Sequence, residues 1–234
     1  MSPRLLAETA AAKKIEVLAL TDHNSGLNCP AFGFHCRRLG IIPVYGLEVC
    51  TQEEIHILAL FAGAEAAQAF GEYIYSIITP FVNNPEKSGD QVFVDEEDNI
   101  LGEVEYLLAG AAGIGLEALG AKSSEYGGIV IPAHVDRPAF SMTSQLGVVV
   151  PGPWTALECV RIPPLTVFGD PLSPPLNTYH YPLITGSDAH YPEHVGRRPF
   201  KLDVTREQLL PHGPEKEIDM DVLKEALNKL GMRS

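Results

Sequence analysis

The sequence predicts an α/β fold close to a small barrel of buried strands, and three observations lead to it. Short continuous apolar runs alternate with amphipathic stretches, the pattern of strands buried on both faces and covered by helices. Several of these runs end directly in carboxylate or imidazole groups. Ile15 to Leu20 runs into Thr21-Asp22-His23-Asn24, Ile129 to Pro132 into Ala133-His134-Val135-Asp136-Arg137, and Tyr181 to Thr185 into Gly186-Ser187-Asp188-Ala189-His190. In an α/β barrel that edge gathers metal ligands and catalytic groups, because rigid strands aim their last side chains into a shared mouth. Finally, 234 residues with 45% hydrophobic content suffice for one barrel-sized domain, which we place over residues 1–234.

The elements follow in order. Ser2 and Pro3 read as an N-cap and first helical position, and Leu5, Leu6, Thr9, Ala10 and Lys13 continue at helical spacing. The run at 15–20 reads as a strand buried on both faces. A helix over Ala31 to Leu39, closed by Gly40, leads to a strand at Ile41 to Tyr45 in βαβ fashion. A strand at Ile55 to Phe61 comes too soon after Gly46-Leu47-Glu48 for an intervening helix. Ala64 to Ile78 reads as a helix stopped by Pro80. Gln91 to Val94, the polar turn Asp95-Glu96-Glu97-Asp98-Asn99 and Ile100-Leu101 form an inserted hairpin at 91–101. Glu103 to Ser124 reads as a glycine-interrupted helix. Strands at 128–132, 156–160 and 182–186 complete about six buried strands, with an irregular proline-rich loop at 163–175. An amphipathic helix over Asp219 to Leu230 closes the chain, with Met220, Leu223, Leu227 and Leu230 on one face.

Composition narrows the function. The 30 acidic against 17 basic residues give a net charge of −13, which argues against broad nucleic-acid binding through a basic face. Cys29, Cys36, Cys50 and Cys159 lack C-x-x-C spacing, so reduced cysteines in a cytoplasmic protein are expected. Neither a signal peptide nor an apolar run of the ~20 residues needed to span a bilayer is present, and no membrane association is expected. An oligomer is compatible with the sequence.

His23, Glu48, His56, His134, Asp188 and His190 fall at or beside the ends of separate strands. Three imidazole or carboxylate ligands suffice for a catalytic zinc with an open position, and the same donors suit manganese and iron. Six are enough for two metals if one carboxylate bridges. Ligand chemistry alone admits ester or amide hydrolysis.

Thr21-Asp22-His23-Asn24, Gly46-Leu47-Glu48, His56 heading Ile57-Leu58-Ala59-Leu60, Pro132-Ala133-His134 and Gly186-Ser187-Asp188-Ala189-His190 together resemble, in order, the motifs of the PHP domain, the polymerase and histidinol phosphatase superfamily. The resemblance runs to about residue 200. It implies a distorted seven-stranded (β/α) barrel holding up to three divalent metals (zinc, manganese or iron), and phosphoesterase activity in which a metal activates water. It also implies that Glu48 bridges, that His56 and His134 complete one site, that Asp188 serves its neighbour, and that His23 and His190 serve a third. Asp22 would accept a hydrogen bond that orients an imidazole. Arg137 would neutralise charge at the mouth, the alternative being a loop arginine paired with Asp136; Arg197 and Arg198 are weaker candidates.

The family's opening strand, with its His-x-His pair, has no counterpart here, and Met1-Ser2-Pro3 stands where relatives have interior sequence. The expectations are therefore a start placed too late, fewer metals than a complete member binds, and a small phosphorylated metabolite or nucleotide as substrate. Exonuclease-like activity and a non-catalytic metal-binding scaffold are the alternatives.

Overall fold

The computed structural model describes residues 1–162, 176–213 and 216–230. Helix α1 (Pro3–Ala12) begins as expected, with Ser2 Oγ accepting from the Leu5 N–H. It leads to β1 (Val17–His23), α2 (Cys29–Arg38) and β2 (Ile42–Cys50). A tight turn at Thr51 to Ile55 then gives β3 (His56–Phe61), followed by α3 (Ala64–Ser76) and the short α4 (Pro85–Ser88). The hairpin is β4 (Val92–Val94) with β5 (Ile100–Glu103). Then come α5 (Leu116–Glu125), β6 (Ile129–Pro132), α6 (Met142–Leu146), β7 (Leu157–Cys159), β8 (Leu183–Thr185), α7 (Arg206–Leu209) and α8 (Met220–Leu230).

One sheet has the order β1-β2-β3-β6 and a second is the parallel pair β7-β8. A parallel bridge between Val130 and Trp154 links the two. The fold is mixed α/β, as predicted. Among the described residues, however, the strands do not close a barrel: β1 pairs only with β2 and β8 only with β7. The sheet is also not wholly parallel. β3 runs antiparallel to both neighbours, because a connection as short as 51–55 permits reversal and not a crossover.

Three further expectations need correction. β1 starts two residues later than predicted, and it runs on through Thr21, Asp22 and His23, which register with Gly46, Leu47 and Glu48 of β2. It is half-buried rather than covered on both faces, since its other edge has no neighbour in the described fold. The helix expected over 103–124 forms only as α5. Upstream, Tyr106 bridges to Val82 and Ala112 to Ile78, while the carbonyls of Leu108 and Gly110 accept from Asn24 Nδ2. Those tertiary bonds, with Gly110, Gly113 and Gly115 weakening helix propensity, win over the local preference. The proline-rich loop at 163–175 lies outside the described residues.

Strand parity sorts the core into two clusters. Tyr45, Leu47 and Val49 of β2 pack with Leu6, Phe32, Phe70 and Leu119 from helices α1, α2, α3 and α5. Ile42 and Val44 face the other way, with Leu60, Ile129, Ile131 and Ile184, against Leu209 and Leu210 and the face of α8 that carries Leu223 and Leu227. Glu48 shares the parity of Ile42 and Val44, so it emerges on the α8-covered face, at that face's far end.

Leu227 is 2% exposed within that second cluster. Leu227→Ala is expected to lower stability by about 2–5 kcal/mol in urea unfolding; an unchanged midpoint would show that α8 is not part of the core.

Candidate metal centre

The register assembles the site around Glu48. His23, the last residue of β1, lies directly opposite Glu48, and His56, the first of β3, opposite Cys50 on the same face one pair further along. His134 follows the end of β6, where the Ala133 N–H donates to the His56 carbonyl. The result is a carboxylate ringed by imidazoles. His56 Nδ1 is 3.0 Å and His134 Nε2 3.1 Å from Glu48 Oε1, and His23 Nδ1 is 3.4 Å from Oε2. Donor atoms of His23, Glu48 and His56 all lie within 4.8 Å of one another.

Burial pushes the Glu48 carboxyl up, but the hydrogen bonds of His134 and His56 and the charges of His56 and His23 outweigh it, holding the group well below the usual carboxylate range. Burial lowers the pKa of His23, as do His56 and His190, against the pull of Glu48. The Glu48 carboxyl is therefore held ionised, while the His23 imidazole is pushed toward its neutral form. The donor set fits a divalent cation, as does the state of its atoms: His134 Nδ1 and His23 Nδ1 are buried without a hydrogen-bond partner.

Asp188 and His190, beyond β8, form the outer edge. Asp188 Oδ1 is 3.6 Å from His190 Nδ1 and Oδ2 is 3.2 Å from Arg137 Nη1. The His190 ring is 6.1 Å from that of His23. Arg137 thus pairs across the mouth. Asp136 instead accepts from the backbone N–H groups of Val160 and Arg161. Asp22 accepts from Asn28 Nδ2 at 3.1 Å, not from an imidazole, and burial raises its pKa. Arg198 donates to the carbonyls of Gly186, Val160 and Ser187, tying the ends of β7 and β8 together.

Three contributors were not singled out from the sequence. Asn24, 1% exposed, has φ +48° and links β1, β2 and the 108–110 segment through its side chain. Asparagine tolerates that backbone region, so the residue after Asp22-His23 carried a usable signal. Phe140 stacks on His56 with centroids 4.9 Å apart and 20° between planes; nothing local marked it. Glu158 is buried in β7, where burial first, then the charges of Glu48 and Asp188, push its carboxyl up to about 8 against the pull of Arg198. Gly186 leaves room for it, since a methyl group there would meet Glu158 Oε1 at 2.6 Å.

The PHP domain model matches residues 1–124, more than half of the chain, and the chain belongs to that family. No curated protein sequence matches it. Among solved structures it is similar to the lesion-specific endonuclease PfuEndoQ from Pyrococcus furiosus, with a TM-score of 0.55 and 17% identity over 93% of this chain and 53% of that one. The chain thus spans about half the length of that endonuclease. An Endonuclease Q complex with a 27-mer duplex carrying an abasic lesion at its active site gives 0.49 and 17%, over 91% and 52%. A Bifidobacterium adolescentis protein assigned as a metal-dependent phosphoesterase gives 0.49 and 12%, over 97% and 90%.

At these identities the likeness is one of fold. It nonetheless overturns the expectation of a small phosphorylated substrate with nucleic acid disfavoured, because this backbone arrangement occurs in an endonuclease. The net charge of −13 is a sum over the whole chain and does not describe this locality, where Arg137 lines the cavity and Arg197 lies 3.4 Å from the Asp188 carbonyl. No helix among the described residues is long and apolar enough to cross a membrane.

The two buried glutamates predict opposite pH effects on the metal-free protein. Glu48, depressed on folding, contributes stability above the unfolded glutamate value of about 4.3 that is lost as pH falls below it. Glu158, raised on folding, retains a proton between about 4.3 and its folded value, so stability falls as pH rises through that window. Glu158→Gln is expected to gain stability over the parent at about pH 8 relative to about pH 5, by a few kcal/mol, measured by denaturant unfolding at both; equal gains would remove the buried charge from the explanation.

Proposed function

We propose that this chain is a metal-dependent phosphoesterase that cleaves phosphodiester links in nucleic acid. The observation that carries the reading is the convergence of His23, His56 and His134 on the Glu48 carboxylate, at the floor of a mouth where Arg137 faces Asp188 and His190. The endonuclease-like fold supports the substrate class.

His23, Glu48 and His56 would hold the inner cation, with His134 beside Glu48 and Asp188 and His190 toward solvent as further ligands; imidazole with carboxylate suits zinc, manganese or iron. When bound, the metal supplies Lewis-acid polarisation of a phosphoryl oxygen and lowers the pKa of the attacking water. The chain does the rest. Glu48, held ionised by its neighbours, keeps a fixed negative charge at the floor. Arg137, whose side chain is 34% exposed, presents guanidinium N–H donors to the mouth and is positioned to take a phosphate oxygen in exchange for Asp188, neutralising charge that develops at phosphorus. Asp22 acts indirectly, through Asn28 at the junction of β1 and α2.

The test is hydrolysis of bis(p-nitrophenyl) phosphate and of single-stranded, duplex and abasic oligonucleotides by metal-stripped protein, with and without added manganese or zinc. Activity is expected only with metal, and Arg137→Ala is expected to lower kcat by about 10²–10³-fold with the circular dichroism spectrum unchanged. Failure of the metal-loaded protein on every diester would sink the reading. Independently of turnover, saturating manganese or zinc is expected to stabilise the parent by about 2.7 kcal/mol at a hundredfold excess over Kd, and His56→Ala to lose most of that shift.

A further inference from the structure

The cavity lined by His23, Glu48, His56, Arg137, Asp188 and His190 measures about 140 Å³. At roughly 30 Å³ per water it holds a phosphate group and a little solvent, well short of the ~300 Å³ at which pockets begin to enclose drug-sized ligands. If a nucleotide's phosphate occupies it, the attached base must lie outside, against the rim. Among the residues lining the cavity, Phe140 is the one carbocyclic aromatic ring.

Phe140 is held there at a cost. Its φ of +54° is in the left-handed region, where a bulky aromatic residue is an outlier. The loop around it is pinned throughout. The Phe140 carbonyl accepts from the His56 N–H at 3.0 Å, and the Arg137 N–H donates to the His134 carbonyl at 2.8 Å. Ser141 donates its hydroxyl to the Arg137 carbonyl and caps α6, and Thr143 donates to the Val135 carbonyl. One rigid turn therefore delivers a guanidinium and an aromatic ring to the same opening. The ring rests on His56, and 37% of the residue stays exposed instead of folding into the core. Strain at a bulky, rigidly tied and part-exposed residue at the mouth of a site points to presentation of that side chain and not to packing.

We propose that Phe140 is a substrate-binding residue: its exposed surface stacks an unpaired base of a nucleic acid strand whose phosphate is held beside Arg137. The proposal rests on the phosphodiesterase reading above and deepens it, naming a base exposed from the stack, in a single strand or extruded from a duplex, as the feature recognised. Stacking on an aromatic side chain is tolerant of base identity, so the preference is for the presence of a base and not for its sequence.

The test compares single-stranded oligonucleotides that carry one base, or a tetrahydrofuran residue in its place, next to the susceptible phosphate. Binding is read by fluorescence anisotropy with calcium, and cleavage with manganese. For the parent, removing the base is expected to weaken binding and raise KM by roughly 5- to 150-fold, with a smaller change in kcat. Phe140→Ala is expected to bind both oligonucleotides alike, and Phe140→Trp to restore the discrimination, a pattern that loss of a packing residue does not produce. Equal discrimination in the parent and in Phe140→Ala overturns the assignment while leaving the nuclease reading intact. Hydrolysis of bis(p-nitrophenyl) phosphate without binding of either oligonucleotide overturns the assignment and the nucleic-acid substrate together, but not the phosphoesterase chemistry. Should Phe140→Ala unfold, Phe140→Leu, which keeps an apolar cover on His56, is expected to lose the discrimination equally, and its retention overturns the proposal.

Discussion

The structure depends on one buried carboxylate. Glu48 is 8% exposed in the interior of the main sheet, and a charge withdrawn from water there persists only where partners surround it. Those partners arrive from three other strands: His23 ends β1, His56 begins β3 and His134 follows β6. Each is usable only if its strand is in register. A slip of β3 by one residue would send His56 to the opposite face and leave Glu48 without it. The site thus constrains the sheet as much as the sheet positions the site. The same carboxylate sits at the end of a face otherwise filled by Ile42, Val44 and the apolar side of α8, so the polar cluster has a dry floor and a wet mouth.

Backbone strain gathers at that mouth. Asn24, His134, Phe140 and Asp188 all have positive φ, and each stands in the turn immediately after a strand or in the loop that follows it. Such conformations cost of order 1–3 kcal/mol each and persist where surrounding bonds over-determine them. Here the bonds are identifiable: the three side-chain bonds of Asn24, the cap of α6 and the grip of Arg198 on the β7 and β8 ends. Stability drawn from ordinary packing elsewhere is what lets a site of this geometry exist.

Electrostatics act on two scales. The chain as a whole is acidic, while its mouth mixes Arg137 and Arg197 with the carboxylates that the imidazoles and guanidinium hold. Glu158 lies behind that cluster with its carboxyl raised by burial and by Glu48 and Asp188, an uncharged neighbour among charged ones. A third ionised carboxylate there would oppose the pair in front. A raised pKa lets Glu158 fill the space beneath Gly186 without adding to their repulsion.

Much of this was legible in one dimension. Ser2-Pro3 announced α1, the Asn99-bounded acidic turn announced the hairpin, and the spacing of Leu223 and Leu227 announced the buried face of α8, because caps, turns and periodicity are local. The residues that meet at the site were recognisable as strand-end imidazoles and carboxylates in an ordered series. The segment at 103–115 departs from the predicted helix because its partners are Asn24, Ile78 and Val82, far upstream and beyond the reach of any local rule. Asn28 as the partner of Asp22, Asp188 as the partner of Arg137, and Phe140 against His56 were equally invisible, since each joins separate elements. The sequence by itself determined which chemistry the chain carries: imidazoles and carboxylates at the ends of apolar strands. Only the tertiary structure decided who faces whom, through the antiparallel turn at 51–55 and the register of β1 on β2, because pairing between distant segments is set by mutual burial and not by the residues of either segment alone.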